Sequence, residues 1–214
     1  MKAINKRTLM LTSLVILLPM FVGLAMWNQL PERMPTHFNL SGEVDGYSSR
    51  LFAIVGLPLF ILAMQLFCAF VLRADPKKQN ISEKLVQLTL WICPAVSLFV
   101  GISMYLSALG YLFNINRFVS VFVGLLFVVM GNYLPKCRPN YTMGIRIPWT
   151  LADEENWNHT HRFAGYVWIV VGLVVTASAF FGGLNPVLTV LLLIAAAVSP
   201  TAYSYLYAKK HGKI

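Results

Sequence analysis

The first polar loop, residues 28–50, contains side chains that could bind a ligand. An imidazole, an amide and two carboxylates lie close together there: His37, Asn39, Glu43 and Asp45. One interpretation is a polar site for an external ligand. The alternative is that His37 and Asn39 hydrogen-bond to the loop backbone while the acids face water. Their spacing does not indicate a metal site.

This loop is predicted to be ordered. Pro31 and Pro35 favour an extended chain, since the residue before each proline is kept out of helical geometry. Residues 36–38 are expected to form a short strand, and Ser41–Gly42 and Asp45–Gly46 read as turns.

The second polar loop, residues 135–162, contains two histidines. His159 and His161 are two positions apart, so on a helix they point in roughly opposite directions and do not chelate one metal ion. Either could act as a general base, but neither is accompanied by a nucleophile or a set of metal ligands. An enzyme is therefore the weakest functional hypothesis.

A helix is predicted to begin at Thr150 and to continue into the apolar segment that follows. Thr150 and Asp153 fit a capping pattern, and Glu154 and Glu155 suit the first turn, where the helix dipole favours negative charge. Arg146 is expected either to bond helix-end carbonyls or to face a cytoplasmic partner.

Membrane-spanning helices must position both loops. The chain is 57% hydrophobic and only 12% charged, which excludes a soluble enzyme, a nucleic-acid binder and a disordered chain. The apolar residues form blocks of about twenty, enough to cross the bilayer as helices. The prediction is an all-α integral membrane protein, a single domain over residues 1–214. Its six spans are predicted at about residues 8–27, 51–72, 85–106, 118–134, 163–181 and 187–207.

Positive charge predicts the orientation. With six spans, 14 of the 17 Lys and Arg residues lie on one side of the membrane, and such residues accumulate in cytoplasmic segments. Both termini and the second polar loop are therefore predicted to be cytoplasmic, and the first polar loop to be external.

The predicted spans contain no Asp, Glu, Lys, Arg or His. Ion-coupled transporters usually keep an ionisable group within the bilayer, so coupled transport is disfavoured. Gln65, Gln87 and Asn132 are the conspicuous polar residues near or within spans, and such amides usually bond between helices. The alternative is a small-solute transporter or exporter whose path these three amides line.

Both loops resemble known sequences. Residues 30–46 resemble an outer-loop motif of bacterial membrane proteins. The second loop resembles the signature of the SdpI family, with a mild departure at Ile147, where Thr is commoner. The matching residues are Gly131–Asn132, Pro139–Asn140, Gly144-Ile-Arg-Ile-Pro-Trp-Thr-Leu151, Trp157 and Thr160-His-Arg162.

The resemblance implies a non-enzymatic protein of the bacterial cell membrane, with no cofactor. It implies immunity to a secreted killing peptide, together with a signalling role in which a cytoplasmic repressor is held at the membrane. The first loop would face the peptide and the second would face the repressor, without direct nucleic-acid contact. The implied partner or signalling residues are Asn140, Gly144, Arg146, Pro148, Trp149, Thr150, Trp157 and His161.

Overall fold

The computed structural model describes residues 4–213, which are mostly helical. In chain order the elements are α1 (Lys6–Ala25), β1 (Arg33–Phe38), β2 (Val44–Ser49), a π-helical turn (Phe52–Gly56) continuous with α2 (Leu57–Ala74), α3 (Glu83–Ala108), α4 (Ile115–Tyr133), α5 (Pro148–Ala152), α6 (Glu154–Ser178) and α7 (Pro186–Lys210).

Six helices are long and apolar enough to cross a membrane, which confirms the predicted fold class. The helix limits differ from the predicted spans where polar residues continue a helix. α6 begins at Glu154, before the span predicted from residue 163, as expected for a helix that continues from the polar loop into the apolar segment. Many large apolar side chains on these helices remain exposed, Phe60 and Leu191 among them, as expected where lipid is the solvent.

The described chain forms two compact units. The N-terminal unit contains α1, the hairpin, α2 and most of α3. Its helices are joined by polar contacts to α1: the Tyr105 hydroxyl donates to the Pro19 carbonyl at 2.6 Å, and the Ser97 hydroxyl donates to the Ile16 carbonyl at 2.8 Å. Inside the bilayer such hydrogen bonds satisfy polar groups, because no water is available there as a partner.

The hairpin is anchored to the helices of this unit by a small apolar cluster. Met34 of β1 is completely buried among Leu30, Ile54 and Met104. Arg50 adds a polar anchor, since its Nη1 donates to the carbonyls of residues 27 and 30, each at 2.8 Å. The predicted order of the first loop, with its strand at residues 36–38 inside β1, follows from this anchoring.

The C-terminal unit comprises residues 75–85 and the chain from Asn116 onward, so it contains α4 to α7 and the second polar loop. Helices α4 and α6 approach closely: a Cβ added at Gly124 would lie 2.7 Å from the Gly172 carbonyl oxygen. Between α6 and α7, the Trp168 indole N–H donates to the Ala196 carbonyl at 3.0 Å. This packing holds the second loop at one end of α6.

Candidate functional sites

The hairpin presents a hydrogen-bonded histidine–aspartate pair on its exposed surface. His37 lies in β1 and Asp45 in β2, and the imidazole Nδ1 is hydrogen-bonded to the Asp45 carboxylate. Their side chains are 72% and 45% exposed, respectively. The pair is therefore accessible to a ligand while each group keeps the other in a defined position.

The other two residues predicted for a ligand site shape the turn between the strands. Asn39 Oδ1 accepts hydrogen bonds from the backbone N–H groups of Ser41, at 2.9 Å, and Glu43, at 3.0 Å. The Asn39 amide also donates to the Glu43 carboxylate at 3.3 Å. Asn39 thus has the local structural role that formed the alternative interpretation of this loop, while Glu43 remains exposed.

Tyr47 is a further accessible residue of this hairpin, and the sequence interpretation missed it. It is 52% exposed, and β2 alternates so that Asp45, Tyr47 and Ser49 are all exposed. The period of two that places residues i and i+2 on the same face of a strand was the available signal. An aromatic ring on the same strand face as a polar pair suits contact with a peptide.

The second polar loop is organised by buried polar side chains. Asn140 is 1% exposed, and its Oδ1 accepts from the backbone N–H groups of Thr142 and Met143. Its amide donates to the Arg138 carbonyl at 2.8 Å and to Cys137 Sγ at 3.4 Å. One buried amide therefore fixes the turn at residues 138–143.

His161 and Trp157 continue this framework from α6. The Ile145 N–H donates to His161 Nε2 at 3.0 Å, so the proton of the neutral ring is on Nδ1, which donates to the Trp157 carbonyl at 2.8 Å. The two rings stack with centroids 4.1 Å apart, and the Trp157 indole N–H donates to the Cys137 carbonyl at 2.7 Å. With both nitrogens engaged and the ring 1% exposed, His161 is not placed to act as a base.

Gly144 is required by this arrangement. Its φ of +97° lies in the left-handed region, and an added Cβ would collide with His161 Nε2. A side chain at this position would both strain the backbone and displace the imidazole that binds Ile145.

The predicted helix start at Thr150 is wrong. Thr150 belongs to the short α5, where its hydroxyl accepts from the Ile147 N–H at 3.1 Å and lies 2.7 Å from the Ile145 carbonyl. α6 begins separately, and Asp153 is its N-cap, accepting from the backbone N–H groups of Glu155 and Asn156. The β-region backbone of Asp153, with φ −139° and ψ 118°, interrupts the helix there.

Arg146, Pro148 and Trp149 are accessible, in contrast to the buried Asn140 and Thr150 of the same loop. Arg146 and Pro148 are exposed and Trp149 is half-buried. Arg146 Nη1 donates to the Tyr141 carbonyl within the same loop, and not to a helix-end carbonyl, which was one of the two alternatives. Trp149 packs edge-on against Tyr205 of α7, with centroids 5.2 Å apart.

A further buried cluster, which the sequence interpretation missed, joins α6 to α7. Asn156 is completely buried; its amide donates to the Ser204 carbonyl at 3.0 Å, and its Oδ1 accepts from the hydroxyls of Thr160 and Ser204. The spacing of four between Asn156 and Thr160 was the available signal, since such residues lie on one face of a helix.

Two titratable groups of this loop are shifted by identifiable contacts. The hydrogen bond from Lys213 lowers the pKa of Asp153, with further bonds from the α6 backbone acting in the same direction. Burial raises the pKa of the Cys137 thiol, which disfavours the reactive thiolate. Within residues 4–213, no three His, Cys, Asp or Glu side chains are grouped so that they could hold a metal ion.

The three amides considered for a solute path lie at different levels along their helices. Gln65, in the middle of α2, is buried and donates to Thr12 and Ser13 of α1. Gln87 and Asn132 are exposed, near the start of α3 and the end of α4, and Asn132 Oδ1 accepts from Lys136. Gln65 thus makes the helix-to-helix bonds expected of a buried amide.

Family models of known proteins match segments of the chain that include the first loop and most of the second. The model of the SdpI/YfhL protein family matches residues 136–204, which contain most of the second loop, α6 and most of α7. A domain of unknown function (DUF1648) matches residues 14–62, from α1 through the hairpin into α2. No solved structure matches the chain.

A named relative extends the similarity over nearly the whole chain. The Immunity protein SdpI of Bacillus subtilis (strain 168) is 26% identical over 205 residues, covering 93% of this chain and 95% of the relative. Together with six helices of membrane-spanning length, the matches describe a multi-pass protein of the cell membrane. The chain is thus similar to the SdpI/YfhL protein family over residues 136–204, and to the SdpI relative over nearly its whole length.

Proposed function

We propose that this protein gives immunity to a secreted antibacterial peptide, and that it does so by binding rather than by catalysis. The observation that carries the proposal is the similarity to the Immunity protein SdpI, which extends through both polar loops. The geometry supports binding over catalysis, since both ring nitrogens of His161 in the second loop are hydrogen-bonded to backbone groups.

The hairpin is the proposed contact surface for the peptide. It combines the His37–Asp45 pair, the Glu43 carboxylate and the Tyr47 ring on accessible positions of a rigidly anchored element. Preorganisation of this kind lowers the entropic cost of binding. Two carboxylates and an aromatic ring would suit a peptide that is cationic or apolar.

The second loop is the proposed site for signalling to a cytoplasmic repressor. Among its signature residues, Gly144, Arg146 and Pro148 are exposed and Trp149 is half-buried, whereas Asn140, Thr150, Trp157 and His161 are buried. A partner would therefore contact the first group, while the second group holds those residues in place. For binding outside to affect the repressor, the two events must favour the same conformation of the protein.

Survival of a sensitive bacterium tests the immunity proposal. Cells expressing the chain are exposed to a membrane-depolarising killing peptide of the family's type, and membrane potential and colony counts are followed. Protection by the wild type, lost in the double variant H37A/Y47A at equal membrane levels, is the expected result. E83Q is the matched control, because Glu83 is an exposed acid at the start of α3, outside the hairpin. Death of cells with the wild type in the membrane would contradict the proposal.

A further inference from the structure

Asp75, the first residue after α2, is a buried acid that neither loop's sequence motif includes. It is 4% exposed and lies in the connection between α2 and α3, a part of the C-terminal unit. Burying a carboxylate is costly unless donors compensate it, so its partners show what the position is used for.

Those partners lie in the second polar loop. Asp75 Oδ2 accepts from the Tyr141 backbone N–H at 3.0 Å and from the Thr142 hydroxyl at 2.6 Å. Oδ1 accepts from the Lys77 N–H at 2.7 Å, which closes a local turn around the carboxylate. One oxygen thus fixes the orientation of the carboxylate and the other holds the loop.

Two neighbouring contacts align the same segments. The Asn80 amide donates to the Pro139 carbonyl at 2.7 Å, and Lys77 Nζ lies 5.0 Å from the centre of the Tyr141 ring. The connection at residues 75–80 therefore contacts the loop through backbone, hydroxyl and ring groups, with Asp75 supplying the only carboxylate among these contacts.

Tyr141 links Asp75 to an accessible signature residue. The Tyr141 N–H is bound by Asp75 and its carbonyl accepts from Arg146 Nη1. We propose that Asp75 is a positioning residue that fixes the orientation of the Arg146 guanidinium through the Tyr141 backbone. The inference rests on contacts within the C-terminal unit and goes beyond the proposed immunity, because it holds whatever ligand the protein binds.

Asp75→Asn is the informative substitution because it preserves shape. An amide oxygen can still accept from Lys77, but the amide nitrogen then faces the Tyr141 N–H and the Thr142 hydroxyl. A donor opposite a donor leaves the Tyr141 N–H without its partner. Asp153→Asn is the matched control, since it makes the same chemical change at an acid that bonds to Lys213 and the α6 backbone instead.

The reactivity of Arg146 toward phenylglyoxal reports on its position. The full-length protein in detergent is treated with the reagent, and modification of each arginine is followed by mass spectrometry, with exposed Arg33 as the internal reference. Loss of one charge-assisted bond predicts an Arg146 rate about tenfold faster relative to Arg33 in D75N. The D153N variant is expected to match the wild type. Unchanged Arg146 reactivity in folded D75N would overturn the proposal, since a purely structural acid would leave the ratio unmoved.

Thr142 provides a second pair of variants in case D75N does not fold. T142S keeps the hydroxyl that donates to Asp75, whereas T142V removes it at similar volume. The expected result is wild-type Arg146 reactivity in T142S and a smaller increase than tenfold in T142V. Equal reactivity in the two variants would also contradict the role assigned to Asp75.

Discussion

The two polar loops contain similar side chains but use them differently. In the hairpin, the His37–Asp45 pair and the Tyr47 ring are exposed, and an apolar residue, Met34, provides the anchor. In the second loop, Asn140 and His161 are buried and bond mainly to backbone groups. Polar residues on the hairpin are thus available for recognition, whereas most of those in the second loop hold its conformation. Substitutions should separate these roles into effects on protection and effects on stability.

The largest expected effect is on stability, at Gly144. Gly144→Ala would add left-handed strain and break the bond between Ile145 and His161, which together amount to about 3 kcal/mol. Denaturant unfolding of the purified protein in detergent measures this loss in the free energy of unfolding. Gly182→Ala is the control, because its φ is also positive, at +92°, and an added Cβ has nothing within 4 Å. Equal losses in the two variants would show that the imidazole contact contributes nothing.

The next effect should come from the buried amide of Asn156. Asn156→Ala leaves the Ser204 carbonyl and two hydroxyls without their partner, a loss of about 2 kcal/mol in the free energy of unfolding. Asn158→Ala is the comparison, since Asn158 is exposed on the same helix. The interpretation of Asn156 as a framework residue fails if both variants unfold at the same denaturant concentration.

The two histidines of α6 provide a sharper division within the second loop. His161→Ala removes a buried ring with two backbone bonds and is expected to cost about 2 kcal/mol. His159 is exposed and stacks on Tyr207 with centroids 4.9 Å apart, so His159→Ala should cost under about 1 kcal/mol. Thermal unfolding in detergent compares the loss of stability in the two variants. A larger loss in His159→Ala than in His161→Ala would contradict the assignment of His161 to the framework.

For a substitution on the hairpin, thermal unfolding in detergent should show almost no change in stability. Asp45→Asn alters an exposed side-chain contact with His37, and contacts of this kind typically contribute about 0–1 kcal/mol. Protection in the survival assay is expected to fall. Stability and survival measured on the same preparations test both expectations. If Asp45→Asn lost stability yet kept protection, Asp45 would have a structural role and the recognition role assigned to the hairpin would be contradicted.

The smallest effect concerns pH. Because the bond from Lys213 holds the pKa of Asp153 below its ordinary value of 3.8, the contact stabilises the folded state above that value and is lost as pH falls through the folded-state pKa. The stability difference between wild type and Lys213→Ala is therefore expected to shrink below about pH 4. Unfolding curves at several pH values measure this difference. A stability difference that does not change with pH would show that the contribution of Lys213 does not depend on the Asp153 charge.

The sequence by itself determined the membrane class and the six long helices, because lipid requires apolar segments of sufficient length whose backbone groups are bonded within the helix. It also located both polar loops, since polar residues stand out in so apolar a chain. The prolines of the first loop indicated an extended chain, and the strand predicted at residues 36–38 lies within β1. Charge counting predicted the orientation, which stays a prediction.

Only the tertiary structure decided which polar residues are accessible. Thr150 has the spacing of a helix cap, yet Asp153 caps α6, because the chain turns out of helical geometry between them. Asp75 carries no motif at all, and its importance comes from donors 66 and 67 residues further along the chain. Local spacing predicts local bonds. Burial and long-range partners depend on how distant segments pack, and a pattern read along the chain does not contain that information.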